Sequence, residues 1–592
     1  MTRDPEQTRS DCGWRRRDFA AAAGLFVATL AVVLWQNAHL AVLWDLSYVL
    51  DSATRMAAGQ MPYRDFPFAH APLTFLIQAA IIRLTRRVFF HHVVYCALAG
   101  GTGTVLAWRI ALGMLRGRVR GAWAISVLLA APLSVVGIYC IFPHPSYDCD
   151  CALAILFAVW MLQRMEREPE GESAPGAGTV PCRSLAAGAA AVLPLFFKQN
   201  MGLAFLASEG AAVGLLLVAR LVKRDLAAKA GVSVFLAFLG GVAFALAAAA
   251  MLIHFLVGLG NYIHWTIGFA AQRRMPGLQL MAGVYQEPGL AWMLPCVAAG
   301  LALGYTRLAQ AVWARVVALL LMAAPFLWVL LALVVYDDAD ERGDSLLALW
   351  PLLLILSAVL TLVNLRRELS LRALLPAILL LTINGTLMSQ QLWGSTYAIW
   401  PLLILLVAEM MVFLDRDGGL PGAPRRPLVA PAMAGVACVT LMVCGGAYTA
   451  SEERLNYAQF PEGSAVHATF PQLAGMATPG PYLPEFEELL RFAAARIPAS
   501  DGLILIPGED PFYFATGRAA RFPLLLFDPA TDPYTPAEIA DQVRHLGIRW
   551  LIVKRDLQIK EDPTPQRKAV MKALLSEFTL DSQLHGYDVY RR

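Results

Sequence analysis

Asp45, Asp51, Arg64, Asp65 and His70 share one short polar segment, WDLSYVLDSATRMAAGQMPYRDFPFAHAP, between two strongly apolar stretches. Asp148 and Asp150 in HPSYDCD, Lys198 in FFKQN, and Gln390 with Gln391 in SQQLWGSTY sit in equally short polar breaks further along. A carboxylate can take the proton of an attacking hydroxyl, and lysine or arginine can hold phosphate oxygens. Both kinds gathered at a membrane face suit a binding cavity. Each residue also has a plainer reading: Asp45, Asp148 and Asp150 as helix caps, Lys198 as a snorkelling helix end, and Arg64 with Asp65 as a turn pair. Cys149 and Cys151 flank Asp150, but Cys-x-Cys is not a zinc spacing.

The elements that must position these groups lie in lipid. Of 592 residues, 58% are hydrophobic and 16% charged, where a soluble domain carries roughly a quarter charged residues. The apolar residues come in runs of membrane-crossing length, which gives about 13 transmembrane helices. The net charge is +4, but the basic residues are dispersed in short clusters between apolar runs, which argues for cytoplasmic loops and against nucleic acid as a partner. Those clusters are Arg116, Arg118 and Arg120; the linker from Gln163 to Arg183; Lys223 and Arg224; Arg307; Arg366, Arg367 and Arg372; and Arg416, Arg425 and Arg426. The hairpins between them turn outside at FPHPSYD, FFKQN, Gly258 to Pro288, DDADERGD and SQQLWGSTY. The N-terminus is then cytoplasmic, and the first apolar run lacks a small-x-small cleavage site. Between Pro72 and Leu112, Arg83, Arg86 and Arg87 interrupt the apolar pattern, and one crossing is expected there. After Asp45, the spacing of Leu46, Val49, Leu50 and Ala53 predicts a helix lying in the interface.

Residues 1–450 therefore read as a multi-span membrane module and residues 451–592 as a small non-cytoplasmic α/β domain, without cysteine. In the latter, helices are expected at Leu483–Arg496, Pro536–Leu546 and Gln566–Phe578, and strands at GLILIPG, PLLLF, IRWLIVK and HGYDVYR. The segment PGEDPFYFATGRAARFP lacks both dinucleotide and Walker A spacings, and a lid or acceptor platform is its expected role. This pattern should fold alone when cut near Pro481.

An acidic residue after the first span, the pattern Asp45…Ala53-x-x-Met56…Gly59, then Pro62-Tyr63-Arg64-Asp65-Phe66 and a proline-headed apolar segment at Pro72, resembles the GT-C glycosyltransferases. The likeness is to the bacterial branch that includes protein mannosyltransferases and the lipid A aminoarabinose transferase. FFKQNMGL resembles that branch's lysine-bearing outer turn, and HPSYDCD its second acidic loop. Two departures are Leu46, where many members have a second acid, and His70-Ala71-Pro72 in place of Lys-Pro-Pro. The resemblance implies inverting hexosyl or pentosyl transfer at the outer face of the cytoplasmic membrane, from a polyprenyl-phosphate-linked sugar to a glycan, lipid or protein acceptor. It implies Asp45 as base, Lys198 and Arg64 as donor-phosphate ligands, and Asp148 or Asp150 orienting the acceptor or holding a divalent metal ion. Asp51, Asp65, His70, Gln390 and Gln391 complete the expected cavity, and no organic cofactor is implied.

Glu209 and Glu409 lie within apparent spans, where an unpaired charge costs about 2.5 kcal/mol or more. A transporter or flippase of a lipid-linked or small polar substrate would show the same feature, and is the alternative reading. The loop charges make the topology testable. Reporter tags at Arg118, Arg224 and Arg367 should be cytoplasmic, and tags at Asp340 and Arg592 should not; a cytoplasmic signal from Arg592 would break the scheme.

Overall fold

The computed structural model describes residues 14–166, 179–223, 226–273, 277–306, 308, 311–388, 398–415, 429–455, 458–527, 532–558 and 565–592. Gln390, Gln391, Arg224, Arg307, Arg416, Arg425 and Arg426 lie outside them. Among the described residues, seven helices are long and apolar enough to cross a membrane, and several shorter apolar helices accompany them. A helix satisfies its own backbone groups, which lipid requires of any spanning segment. The chain is a multi-pass α-helical membrane protein with a small C-terminal sheet-and-helix region.

The chain opens with α1 (Arg16–Asn37), α2 (Leu43–Ala57), α3 (Leu73–Thr85) and α4 (Phe89–Leu115). The Pro72–Leu112 stretch thus resolves into one 13-residue helix and one long apolar helix. Small residues let helices of the bundle touch. A Cβ at Gly188 would lie 2.0 Å from the Phe238 carbonyl oxygen, and one at Gly241 would lie 2.1 Å from that of Leu185. Helices Thr179–Val192 and Leu226–Leu256 therefore meet backbone to backbone through a glycine on each. Glu409 is paired: Arg118 donates to both its oxygens at 2.8 and 2.6 Å, and Asn364 at 3.0 Å. Glu209 is fully buried, and neither of its oxygens has a hydrogen-bond partner among the described residues.

Beyond the helix Val429–Ala450, β1 (Ala465–His467) pairs antiparallel with β2 (Ala477–Pro479). The larger sheet is built from β3 (Gly502–Ile506), β4 (Ile548–Lys554), β5 (Thr579–Gln583) and β6 (Tyr587–Arg591) in the order β3-β4-β6-β5. The β3–β4 pair is parallel, and the others are antiparallel. Side chains alternate between faces. Ile504, Ile506 and Leu551 pack with Ile539, Val543, Val570 and Leu574 of the helices Pro536–His545 and Pro565–Leu575.

The other face does not close on itself. Leu503, Leu505, Trp550, Ile552 and Val589 form one continuous apolar cluster with the helix Tyr482–Arg496 and with Leu46, Val49, Leu50 and Ala53 of α2. Hydrogen bonds seal this seam. Asp51 accepts the backbone N–H groups of Phe514 and Tyr513 at 2.7 and 3.3 Å. Arg55 donates to the carbonyls of Pro523 and Phe522 at 2.7 and 3.3 Å, with its guanidinium 4.1 Å from the Phe66 ring centroid. Two of the arginines that interrupt the Pro72–Leu112 stretch serve the same seam: Arg83 caps the C-terminal carbonyls of α2 at Ala57 and Met56, and Arg87 donates to the Phe514 carbonyl.

One expected strand is absent and one unexpected strand is present. PLLLF forms no strand, because Arg55 takes the carbonyls of Phe522 and Pro523 while Leu524 and Phe527 fill the core from irregular chain. β5, by contrast, is mostly exposed and carries no apolar pattern to announce it. The expected independence of the C-terminal domain meets this seam, since one of its two apolar clusters is shared with α2 while the other is its own. A fragment spanning 481–592 would leave Leu483, Phe486, Phe512 and Trp550 uncovered, so it should aggregate or lack a cooperative unfolding transition in calorimetry. A soluble fragment with a sharp transition would show that the α2 face is dispensable.

Candidate functional site

α2 places Asp45 in its first turn, but not as a cap. The N-cap is Val42, whose side chain cannot accept a hydrogen bond. Other parts of the chain satisfy the exposed donors that every helix start leaves. The N–H of Val42 donates to His144 Nε2 at 3.3 Å, and that of Leu43 to Gln558 Oε1 at 2.7 Å. Burial above all pushes the His144 pKa down to about 3, so the ring is neutral and able to accept. Gln558 is fixed in turn by donating to the Ala41 carbonyl and, through its own N–H, to Glu509. One turn beyond Asp45, Tyr48 faces the loop between α2 and α3, its hydroxyl 3.4 Å from His70 Nδ1.

His70 is the hub of an aromatic wall. Its ring centroid lies 5.1 Å from that of Tyr48 and 5.0 Å from that of Tyr147, with Phe68 and Phe75 behind. Tyr63 donates its hydroxyl to the His70 carbonyl, which fixes the loop. Tyr147 begins the helix Tyr147–Glu166, and Lys198 Nζ stands 5.7 Å from its ring centroid.

Lys198 closes the short 3₁₀ turn Leu193–Phe196 just before the helix Gln199–Lys223. That turn exists because residue 202 is glycine: a Cβ there would lie 2.3–2.4 Å from backbone atoms of Pro194 and Leu195. The next residue, Gln199, donates to the Ala69 carbonyl at 2.9 Å and ties the turn to the His70 loop. Lys198 is buried and ion-paired with Asp148, so two residues expected to act separately form one unit. An ammonium has three N–H donors, and a single carboxylate oxygen takes one of them.

Asp150, two residues on, points elsewhere. Its carboxylate accepts the hydroxyls of Thr74, Tyr95 and Tyr139 at 2.6–2.7 Å and sits 2% exposed. This cage locks α3 and α4 to the helix behind them and engages both Asp150 oxygens. Asp51, expected in the cavity, instead lies in the seam with the C-terminal domain, where burial pushes its carboxyl above the ordinary value against the pull of two N–H donors. Arg64 and Asp65 form an exposed fork with N–O distances of 2.9 and 3.1 Å. Arg64 holds the Asp65 carboxyl below its usual range. Among the described residues no group of three or more His, Cys, Asp or Glu could hold a metal ion. Sequence reasoning singled out neither Tyr48, Tyr147, His144 nor Gln558. The first two carried a readable signal, namely position next to the acids, and the last two carried none.

Behind Gln558, Glu509 and Asp510 face Lys554 at 3.6 and 2.9 Å, with Tyr482 and Tyr587 donating to Asp510. Burial raises the Glu509 pKa from 4.5 to about 6. A carboxyl raised in the folded state contributes stability that is complete below its unfolded pKa and lost as pH rises through the folded one. Titrating Glu509 from pH 4.5 to 7 should therefore cost about 2 kcal/mol, read as a falling unfolding midpoint that Glu509→Gln flattens. An unchanged slope in Glu509→Gln would remove Glu509 as its source.

No family model and no curated protein matches this sequence. Among solved structures, the chain aligns over 96% of its length with 97% of ArnT from Cupriavidus metallidurans bound to undecaprenyl phosphate, at 13% identity and TM-score 0.45. It aligns over 90% of its length with 68% of the Archaeoglobus fulgidus oligosaccharyltransferase in complex with Zn and sulfate, at 12% identity and TM-score 0.48. Over 91% of its length it aligns with 69% of AglB from the same organism, in complex with an inhibitory peptide and a dolichol-phosphate, at 10% identity and TM-score 0.47.

Proposed function

We propose that the protein is a membrane glycosyltransferase that moves a sugar from a polyprenyl-phosphate donor to an acceptor at the non-cytoplasmic face, with inversion. The observation that carries this reading is the buried Lys198–Asp148 pair, set at the end of a bundle helix and walled by Tyr147, His70 and Tyr48. Asp148 holds the ammonium in place while its remaining N–H donors face a phosphate. Asp45, one turn before Tyr48, is the base. It takes the proton of the acceptor hydroxyl as that oxygen bonds to the anomeric carbon. The bond from that carbon to the phosphate oxygen breaks, and the polyprenyl phosphate leaves with the electron pair. Charge grows on the leaving oxygen, so a charge-assisted bond from Lys198 strengthens as the reaction proceeds. Arg64 would have to leave Asp65 to assist. Transport is the competing reading, favoured by Glu209 alone, since Glu409 is neutralised by Arg118.

Purified protein in nanodiscs, given a panel of polyprenyl-phosphate sugars, separates these roles. Asp45→Asn should slow transfer at least about 100-fold while donor binding persists. Lys198→Ala should weaken donor binding by about 1.5–3 kcal/mol, or roughly ten- to a hundred-fold. Because Lys198→Ala strands the Asp148 charge, the double variant Lys198→Met with Asp148→Asn controls for folding. Full activity in Asp45→Asn would remove Asp45 from the mechanism, and a wild-type protein that binds no donor would favour transport.

A further inference from the structure

The first turn of α2 is held by side chains that come from far away in the chain. A helix start needs partners for its leading N–H groups, and Val42 supplies none from its side chain. His144, from the loop between bundle helices, accepts the first at 3.3 Å, and Gln558, from the C-terminal domain, accepts the next at 2.7 Å. The Gln558 amide is used at both ends, since its Nε2 donates to the Ala41 carbonyl at 3.0 Å. It cannot swing without losing both bonds. Its backbone is pinned as well, by a 2.6 Å bond to the fully buried Glu509. One turn later, Ser47 donates to the Gly508 carbonyl of the same loop at 3.0 Å. Asp45 lies between these two clamps.

We infer that Gln558 and His144 are positioning residues which fix the α2 first turn, and that through Gln558 the C-terminal domain sets where the Asp45 carboxylate stands. This rests on the reading of Asp45 as base. Neither residue needs to touch substrate, because each acts on backbone donors two and three positions before Asp45. Lys198 lies in the turn before the helix Gln199–Lys223, and Asp148 opens the helix Tyr147–Glu166 four residues after His144, so Gln558 probes the turn from the side away from the donor-phosphate end and His144 from the side next to it.

The test uses the full chain in nanodiscs with Gln558→Met and, separately, His144→Phe, two near-isosteric changes in different parts of the fold. Each should lower kcat by about ten- to a hundred-fold, the scale of a small misplacement of a reacting group. Binding of undecaprenyl phosphate should stay within about two-fold of wild type. An activity-independent arm places Asp45→Cys in both backgrounds and follows its alkylation rate, which should rise at least about three-fold once the turn is released. Unchanged kcat in both variants would overturn the inference, as would an unchanged alkylation rate or a loss of donor binding in step with kcat. If Asp45→Asn proves fully active, the base assignment falls separately, and the alkylation arm still decides whether these side chains hold the turn.

Discussion

The structure depends on one constraint: α2 lies where lipid-embedded helices meet a water-soluble sheet, and a charged group trapped in that seam is costly unless matched. An amphipathic helix at a membrane surface normally turns its polar side to water. Here that side is covered by the C-terminal domain, so Asp51, Arg55 and Ser47 are desolvated, and each is matched to a backbone group of the loops around Gly508, Phe514 and Pro523. Leaving any of them unmatched would cost about 1–3 kcal/mol or more. The apolar face of the sheet adds area, and the polar pairs fix register and orientation. The result is a helix clamped at its start by Gln558 and His144, at its middle by Asp51 and Arg55, and at its end by Arg83.

Rigidity of that kind matters at the site. Asp45 and Tyr48 project from α2, His70 from the loop after it, and Tyr147, Asp148 and Lys198 from the bundle. On the proposed function, three separate pieces of chain must agree to within a fraction of an ångström. The bonds from Gln199 to Ala69 and from Tyr63 to His70 perform that registration between loop and bundle. The Asp150 cage performs it between α3, α4 and the helix that bears Asp148.

Much of this was legible in the sequence, and the parts that were not share a cause. The spacing of Leu46, Val49, Leu50 and Ala53 announced α2, and the strand patterns of β3, β4 and β6 were plain. Asp148 and Asp150 looked interchangeable as letters, yet residues two apart on a helix point about 200° away from each other. One therefore meets Lys198 and the other meets Tyr95 and Tyr139. The same geometry separates Asp45 from Asp51, which are about 240° apart. The sequence reading placed Asp45 and Asp51 in one cavity, and the helix bounds are what set them on different sides of α2. Gln558 and His144 were invisible because a side chain that accepts from a distant backbone leaves no local pattern. Arg83 and Arg87 interrupt the apolar pattern of the Pro72–Leu112 stretch because they are spent on the carbonyls of α2 and of Phe514.

The separations across the seam set an order of events during biosynthesis. Gln558 meets Leu43 across 515 residues, and Arg87 meets Phe514 across 427. At translation rates of about 5–20 residues per second, α2 waits roughly half a minute or longer for the segment that completes it. Throughout that interval Asp51 and Arg55 lack their partners in the loops around Phe514 and Pro523, and Arg87 lacks the Phe514 carbonyl. The N-terminal half of the bundle must therefore insert in the correct orientation without its final surface. A chain truncated between residues 451 and 557 would leave the ribosome with its apolar helices complete and α2 unanchored.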